Sequence, residues 1–369
     1  MARSPLGSVL PDFPWNSLAD AKAKAASHPD GIVDLSVGTP VDEVSPTVQL
    51  ALSAAAAAPG YPQTTGTPEL RAAIANALER RYAITGLSTQ AVLPVIGTKE
   101  AIAWLPTLLG MRGESVVIPT VAYPTYEVGA KIAGAEVIRA DDTEAFEDAS
   151  LVFINSPSNP TGEVLSIDKL RDIVAWAREH DAIVASDECY MALAWDDDKQ
   201  PVSILDQRVT DGDMTGLIAM HSLSKSANMA SYRAGFFAGD EKLIAELLEV
   251  RKHAGLMVPG PIQAAMVAAL DDDATEALQA QRYAVRRAKL MRALTDAGFT
   301  ISHSEAGMYL WATRGNNCRE DVAWLAELGI LVAPGDFYGD IGAEFIRVGL
   351  NGTDERIDAA CERLAAAQR

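Results

Sequence analysis

The run His221 to Gly235, HSLSKSANMASYRAG, follows directly on the apolar stretch Gly216 to Met220, GLIAM. The apolar stretch reads as a buried strand, and it stops abruptly at small hydroxyl residues, a lysine and, eight positions on, an arginine. Ligands of parallel α/β sheets sit beyond the carboxyl ends of the strands, so Ser222, Ser224, Lys225 and Arg233 are placed to meet one together. Hydroxyls and a guanidinium suit a phosphate, and a lysine beside them suits an aldehyde. Taken alone, the run also reads as a loop with a solvated lysine, and the rest of the chain decides between the two.

With 369 residues, 49% of them hydrophobic, the chain can bury a large core and accommodate one big domain plus a smaller one. Its apolar runs break well short of a membrane span, and the opening MARSPLGSVLPDFPW places prolines and an aspartate where a signal peptide needs an apolar core. Neither membrane nor export is expected, and cytoplasm is the expected location. Cys189, Cys318 and Cys361 are too scattered for a disulfide framework, and no spacing suggests a metal. A net charge of −19 repels nucleic acid phosphates, so nucleic acid is not an expected partner.

Read in order, residues 1–30 form an arm with Pro5, Pro11, Phe13, Pro14 and Trp15 before a short helix. Ile32 to Gly38 is strand-like and ends in turn chemistry at Gly38, Thr39 and Pro40. The loop Tyr61 to Thr67, YPQTTGT, is long and polar for a connector and leads into a helix from Pro68. From residue 91 strands and helices alternate. Val92 to Ile96 runs into Gly97, Thr98 and Lys99 at a helix start, where backbone N–H groups and a hydroxyl can meet an anion. Tyr123 and Tyr126 follow the strand SVVI; they suit stacking on a flat ring, or plain core packing with wet hydroxyls. The strand LVFIN enters the turn SPSNPTG with Asn159 at its bend, which by itself is ordinary turn chemistry. Ser166 is a plausible N-cap for the next helix. The strand AIVAS ends at Asp187, Glu188, Cys189 and Tyr190, and an aspartate there costs desolvation unless a cation or donor meets it. Cys189 reads as a small core residue, with no histidine to make it a nucleophile. The run Asp271 to Asp273 reads as a solvated turn at a domain boundary. Beyond it lie a long helix, strands at 308–312, 330–333 and 345–350, and a terminal helix. Arg347, inside the strand FIRVGL, is either paired with an internal carboxylate or kept for a ligand's. No repeat and no GxxxxGK[ST], HExxH or GxSxG motif is found.

These signals fit one job. A pyridoxal phosphate site needs a lysine for the imine, an acid against the pyridinium nitrogen, a ring to stack on and a phosphate cup, and each need has a candidate. At NSPSNPTG, ASDECY and HSLSKSANMASYRAG, with YPQTTGTPELR upstream and FIRVGL downstream, the chain resembles the fold type I class I/II aminotransferases over nearly its whole length. Within that family it looks most like actinobacterial succinyldiaminopimelate aminotransferases of lysine biosynthesis. The resemblance implies an α/β fold: a mostly parallel seven-stranded sheet flanked by helices, with a smaller α+β domain. Residues 1–30 would be the arm and part of the small domain, 31–272 the large domain, and 273–369 the small C-terminal domain.

The resemblance also implies roles. Lys225 would carry the imine and shuttle the proton, Asp187 hold the pyridinium, Asn159 and Tyr190 bond the phenolic oxygen, and Tyr123 stack on the ring. Thr98, the Lys99 backbone, Ser222, Ser224 and Arg233 would bind phosphate. Tyr61 would reach it from a second subunit, so a homodimer is expected. Arg347 would grip the substrate α-carboxylate, with Gly38 nearby. Met229-Ala230-Ser231 departs from the Gly-Trp-Arg ending of many relatives but keeps the arginine's register from Lys225. Amino-group transfer between an amino acid and 2-oxoglutarate is the expected reaction. The alternatives are an aspartate, alanine or aromatic aminotransferase, a C–S lyase on the same cofactor, and a ligand-sensing module, against which the acidic charge argues.

Overall fold

The computed structural model describes residues 5–367; the first four residues of the arm and the last two of the expected small domain lie outside the described residues. The strands are β1 (Val33–Asp34), β2 (Val92–Ile96), β3 (Ser115–Ile118), β4 (Glu136–Arg139), β5 (Leu151–Asn155), β6 (Ile183–Asp187), β7 (Leu217–Ser222), β8 (Ala234–Gly239), β9 (Thr300–Ser302), β10 (Tyr309–Thr313), β11 (Ile330–Leu331), β12 (Ala333–Pro334) and β13 (Ile346–Gly349). Seven of them form the large sheet, in the order β2-β8-β7-β6-β5-β3-β4. Pairing is parallel from β7 through β6, β5 and β3 to β4, and only β8 runs against both its neighbours.

The apolar runs follow from this placement, since a parallel strand covered by helices on both faces has no wet side. Along β5 the side chains alternate between two cores. Val152 and Ile154 join Val184, Leu217 and Ala219 on one face, while Leu151 and Phe153 join Ala185, Ile218 and Met220 on the other. Local signals set the helix starts. Thr67 caps the helix Pro68–Tyr82 by accepting from the Leu70 N–H at 3.2 Å, and Ser166 caps Ile167–Glu179 at Lys169. Among the described residues, no helix is long and apolar enough to cross a membrane.

A smaller sheet, β12-β13-β10-β9, packs with the helices Asp273–Asp296, Cys318–Glu327 and Asp354–Ala366 around a third core. Three expectations need correction. The strand expected at 330–333 is two: β11 pairs in parallel with β1, whereas β12, ending in a proline with no N–H to donate, pairs antiparallel with β13. The strand expected at 32–38 is paired only over β1, because Ser36 to Gly38 turn away to offer their carbonyls to Arg347, Asn351 and Lys225. Val33 and Leu35 accordingly pack in the small core, although the sequence grouped everything from residue 31 with the large domain. Finally, Asp271 to Asp273 is not a simple solvated turn. Asp272 caps the long helix at Thr275 and Asp273 pairs with Arg80 and Arg81, both at 2.6 Å.

Candidate active site

The carboxyl ends of β5, β6 and β7 lie abreast, with Asn155 in register with Asp187 and Asp187 with Met220. Beyond them opens a cavity of about 920 Å³. From β6 it receives Asp187 and Tyr190; from β7 and the helical turn after it, Ser222, Ser224 and Lys225; and Arg233 from the entry to β8. Thr98 and Lys99 arrive from the first turn of the helix Gly97–Leu108, Tyr123 from the loop after β3, and Asn159 from the turn after β5. The small-domain side contributes Gly38 and, from β13, Arg347. Twelve candidates from distant parts of the sequence thus line one cavity. Tyr61 does not: it is 99% exposed on the surface of its own chain.

Asp187 is buried, and burial pushes its carboxyl above the usual range, with Glu188 adding to the push. Two donors oppose it. The Tyr126 hydroxyl donates to Oδ2 at 2.8 Å and the Cys189 N–H to Oδ1 at 3.2 Å. Lys225 donates to the Gly38 carbonyl, and burial lowers its amine below the ordinary lysine value, so more of it is neutral and nucleophilic at neutral pH. At the rim, the Arg233 guanidinium lies over Gly97, where a Cβ would come within 2.3 Å of Nη2; this glycine, at φ +72°, admits the close approach. Gly38 is bare for the same reason, since a Cβ there would meet the Tyr309 hydroxyl at 2.0 Å.

Arg347 is 2% exposed and has no carboxylate partner among the described residues. It donates to Asn159 Oδ1 at 2.9 Å and to the Ser36 carbonyl at 2.6 Å, and its guanidinium stacks 3.9 Å from the Tyr309 ring. Its Nε has no partner. Of the two readings open in the sequence, internal pairing with a carboxylate is therefore absent.

Several neighbours of the site escaped the sequence. Tyr126, open in the sequence to stacking on a ring or to core packing with a wet hydroxyl, is packed in the core with its hydroxyl donating to Asp187 instead of to water. Tyr309 faces both Arg347 and Lys225, and its hydroxyl lies 3.4 Å from that of Tyr190; burial raises its phenol, but the two cations bring it below its usual value. Cys189 lines the cavity and donates to Thr98 Oγ1 at 3.2 Å. Asn155 ties its turn together, donating to the Pro157 and Asp187 carbonyls and accepting from the Asn159 N–H at 2.7 Å. From the arm come Phe13, Trp15 and Lys22.

The donor set fits pyridoxal phosphate. Serine hydroxyls, a helix N-terminus and a guanidinium over a bare glycine suit a dianion; a buried amine suits an aldehyde; a buried carboxylate suits a cationic ring. Fold and site together define a fold type I pyridoxal phosphate enzyme. The family model for aminotransferase class I and II matches residues 30–364, and the chain belongs to that family, whose members depend on pyridoxal phosphate. It is 62% identical over 366 residues to a probable aminotransferase of Mycobacterium tuberculosis, covering 98% of this chain and 87% of that one. It is 53% identical to the 4-dedimethylamino-4-oxo-anhydrotetracycline transaminase OxyQ of Streptomyces rimosus, covering 96% and 99%. Among solved structures, the N-succinyldiaminopimelate aminotransferase of Mycobacterium tuberculosis superposes with a TM-score of 0.86 at 25% identity, covering 99% and 100%.

Proposed function

We propose that this aminotransferase moves the amino group of a long dicarboxylic amino acid, N-succinyl-LL-2,6-diaminopimelate, to 2-oxoglutarate, and that it works as a cytoplasmic homodimer. The observation that carries the substrate reading is that the cavity of about 920 Å³ is lined by Lys22 and Lys99 as well as by Lys225 and Arg347, and neither Lys22 nor Lys99 has an ion-pair partner among the described residues. In a chain of net charge −19, such lysines suit a second, distal carboxylate. The likeness to the succinyldiaminopimelate enzyme of Mycobacterium tuberculosis supports the same reading.

When bound, pyridoxal phosphate supplies an aldehyde and a protonatable ring that withdraws electrons from the substrate Cα. Asp187 would favour the protonated ring nitrogen, and the Tyr126 hydroxyl, donating to Oδ2, favours the anionic form of Asp187 against the pull of burial. Ser222, Ser224, Thr98, the Lys99 N–H and Arg233 would hold the phosphate, and Tyr123 would be the ring available for stacking. Asn159 and Tyr190 hold the phenolic oxygen. Arg347 orients the α-carboxylate beside Gly38. The Lys225 Nζ would be the group that holds the aldehyde and, as a free amine, the base that takes the Cα proton and gives it up again. Tyr61, exposed on its own chain, would complete the phosphate cup of a second subunit.

The test is a panel of amino donors with 2-oxoglutarate as acceptor, including succinyldiaminopimelate, LL-diaminopimelate, aspartate, alanine and aromatic amino acids. The highest kcat/KM is expected with succinyldiaminopimelate. A preference for a short or aromatic donor, or for the ketone named for OxyQ as acceptor, overturns the substrate; release of pyruvate and ammonia from cystathionine without glutamate conversion overturns transfer itself.

A further inference from the structure

Behind the sheet edge, outside the main cavity, lies a second buried cluster that the reaction as described does not use. Glu188 follows Asp187 and His221 precedes Ser222, so strand alternation turns both side chains away from the cavity. The Glu188 side chain is fully buried and His221 is 6% exposed, and His221 Nε2 lies 3.2 Å from Glu188 Oε2. The two atoms are within ion-pair distance, and neither makes a hydrogen bond among the described residues. The other carboxylate oxygen, Oε1, accepts from the Ser186 hydroxyl at 2.9 Å and the Ile204 N–H at 2.8 Å. The imidazole is sandwiched between Tyr82 and Phe236, with centroids 5.9 and 5.2 Å away.

The charge count around it is unequal. Facing the pair are Tyr82 and Arg81 from the helix Pro68–Tyr82, and Glu276 and Asp273 from the helix Asp273–Asp296. Arg81 is shared between Glu276, at 2.8 Å, and Asp273, which leaves no arginine or lysine for Glu188. An uncompensated buried carboxylate is costly, and one placed next to Asp187 opposes the ionisation of Asp187.

We propose that Glu188 and His221 are positioning residues: the pair locks the ends of β6 and β7, which carry Asp187 and Lys225, and His221 is the cation that cancels the Glu188 charge behind the cofactor site. The inference rests on the reading that Asp187 and Lys225 hold the cofactor. Its signature is a pair of opposite electrostatic shifts, which a purely structural role does not produce. The proton on the Lys225 nitrogen of the loaded enzyme creates positive charge, so nearby negative charge favours it.

The experiment is a pH titration of the visible absorbance of the bound cofactor, with cofactor dissociation constants measured alongside. Glu188→Gln removes an anion and is expected to lower the midpoint by about half a unit; His221→Gln, which keeps an N–H donor but no charge, is expected to raise it by about as much. Shifts of the same sign, or none in folded variants, overturn the proposal. If either single variant fails to fold, the double variant Glu188→Gln/His221→Gln pairs two neutral amides; its midpoint is expected within about 0.2 units of the native one, and a larger departure overturns charge cancellation. Lys225→Ala separates the underlying reading: a cofactor band surviving in that variant sinks the assignment of Lys225, whereas its loss together with unshifted midpoints sinks only the pair.

Discussion

Arg347→Lys asks most directly what the unpaired buried guanidinium is for. Arg347 spends one Nη donor on Asn159 and the other on Ser36, at 2.9 and 2.6 Å, and holds further N–H groups with no protein acceptor. Lysine has one nitrogen, which cannot serve Asn159, the Ser36 carbonyl and a carboxylate in a bidentate grip together. Losing one charge-assisted hydrogen bond to the substrate costs about 1.5–3 kcal/mol, which raises the apparent dissociation constant of the amino acid by about 10- to 150-fold. Stability should move less. An orphaned Asn159 or Ser36 oxygen costs about 1–3 kcal/mol, and relief of a buried guanidinium that has no counter-ion offsets part of it. The assay is rapid mixing with glutamate, following cofactor absorbance against glutamate concentration so that affinity and rate separate. An ω-amine lacking an α-carboxylate serves as control and should be handled equally by both proteins. Unchanged apparent affinity for glutamate in a folded variant refutes the argument and places the carboxylate elsewhere.

Lys225→Ala is expected to lose the covalent cofactor band and nearly all turnover, checked by absorbance and by a glutamate half-reaction. The same lysine gives a pH effect. Its folded amine value lies below the ordinary 10.5, so between the two the unfolded chain binds more protons and native stability rises with pH. Thermal unfolding of cofactor-free protein, followed as pH rises towards 10.5, should therefore gain less in Lys225→Met than in the native chain. Tyr126→Phe removes the donor to Asp187 Oδ2, raises that carboxyl further and should weaken cofactor binding by about 10-fold or more, measured by equilibrium dialysis. Tyr61→Phe should weaken the cofactor hold although Tyr61 stands outside its own cavity; refolding a mixture of Tyr61→Phe and Lys225→Ala chains should regain activity at the one site per hybrid dimer with both residues intact, and no regain argues against shared sites.

The cofactor side of the site was legible because its residues end a strand, sit in a helix's first turn or lie in the loop just past a strand's end, and apolar runs with abrupt polar stops can be read one at a time. Asp187, Ser222, Lys225 and Thr98 are of this kind, and parallel register brings such stops to one edge without any need to know the strand order. Tyr126 was not legible in its role, because what decides it is a contact across 61 residues of sequence, Tyr126 to Asp187, made by a side chain that stacks on Phe153 of β5 and reaches Asp187 of β6. The small-domain side failed for a related reason. Val33 to Gly38 has the composition of one strand, but its backbone is divided between a partner at Ile330–Leu331 and three side chains, of which Lys225 and Arg347 line the cavity, so its local pattern says nothing of where it stops being strand. Tyr309 looks like any aromatic in an apolar strand, and only the Arg347 stacked on it and the bare Gly38 over its hydroxyl mark it out. The residues facing the cofactor's fixed chemistry thus announce themselves by breaking local pattern. Those facing a variable substrate sit within ordinary pattern, and that is why the donor's far end has to be found by assay of Lys22 and Lys99 rather than by reading.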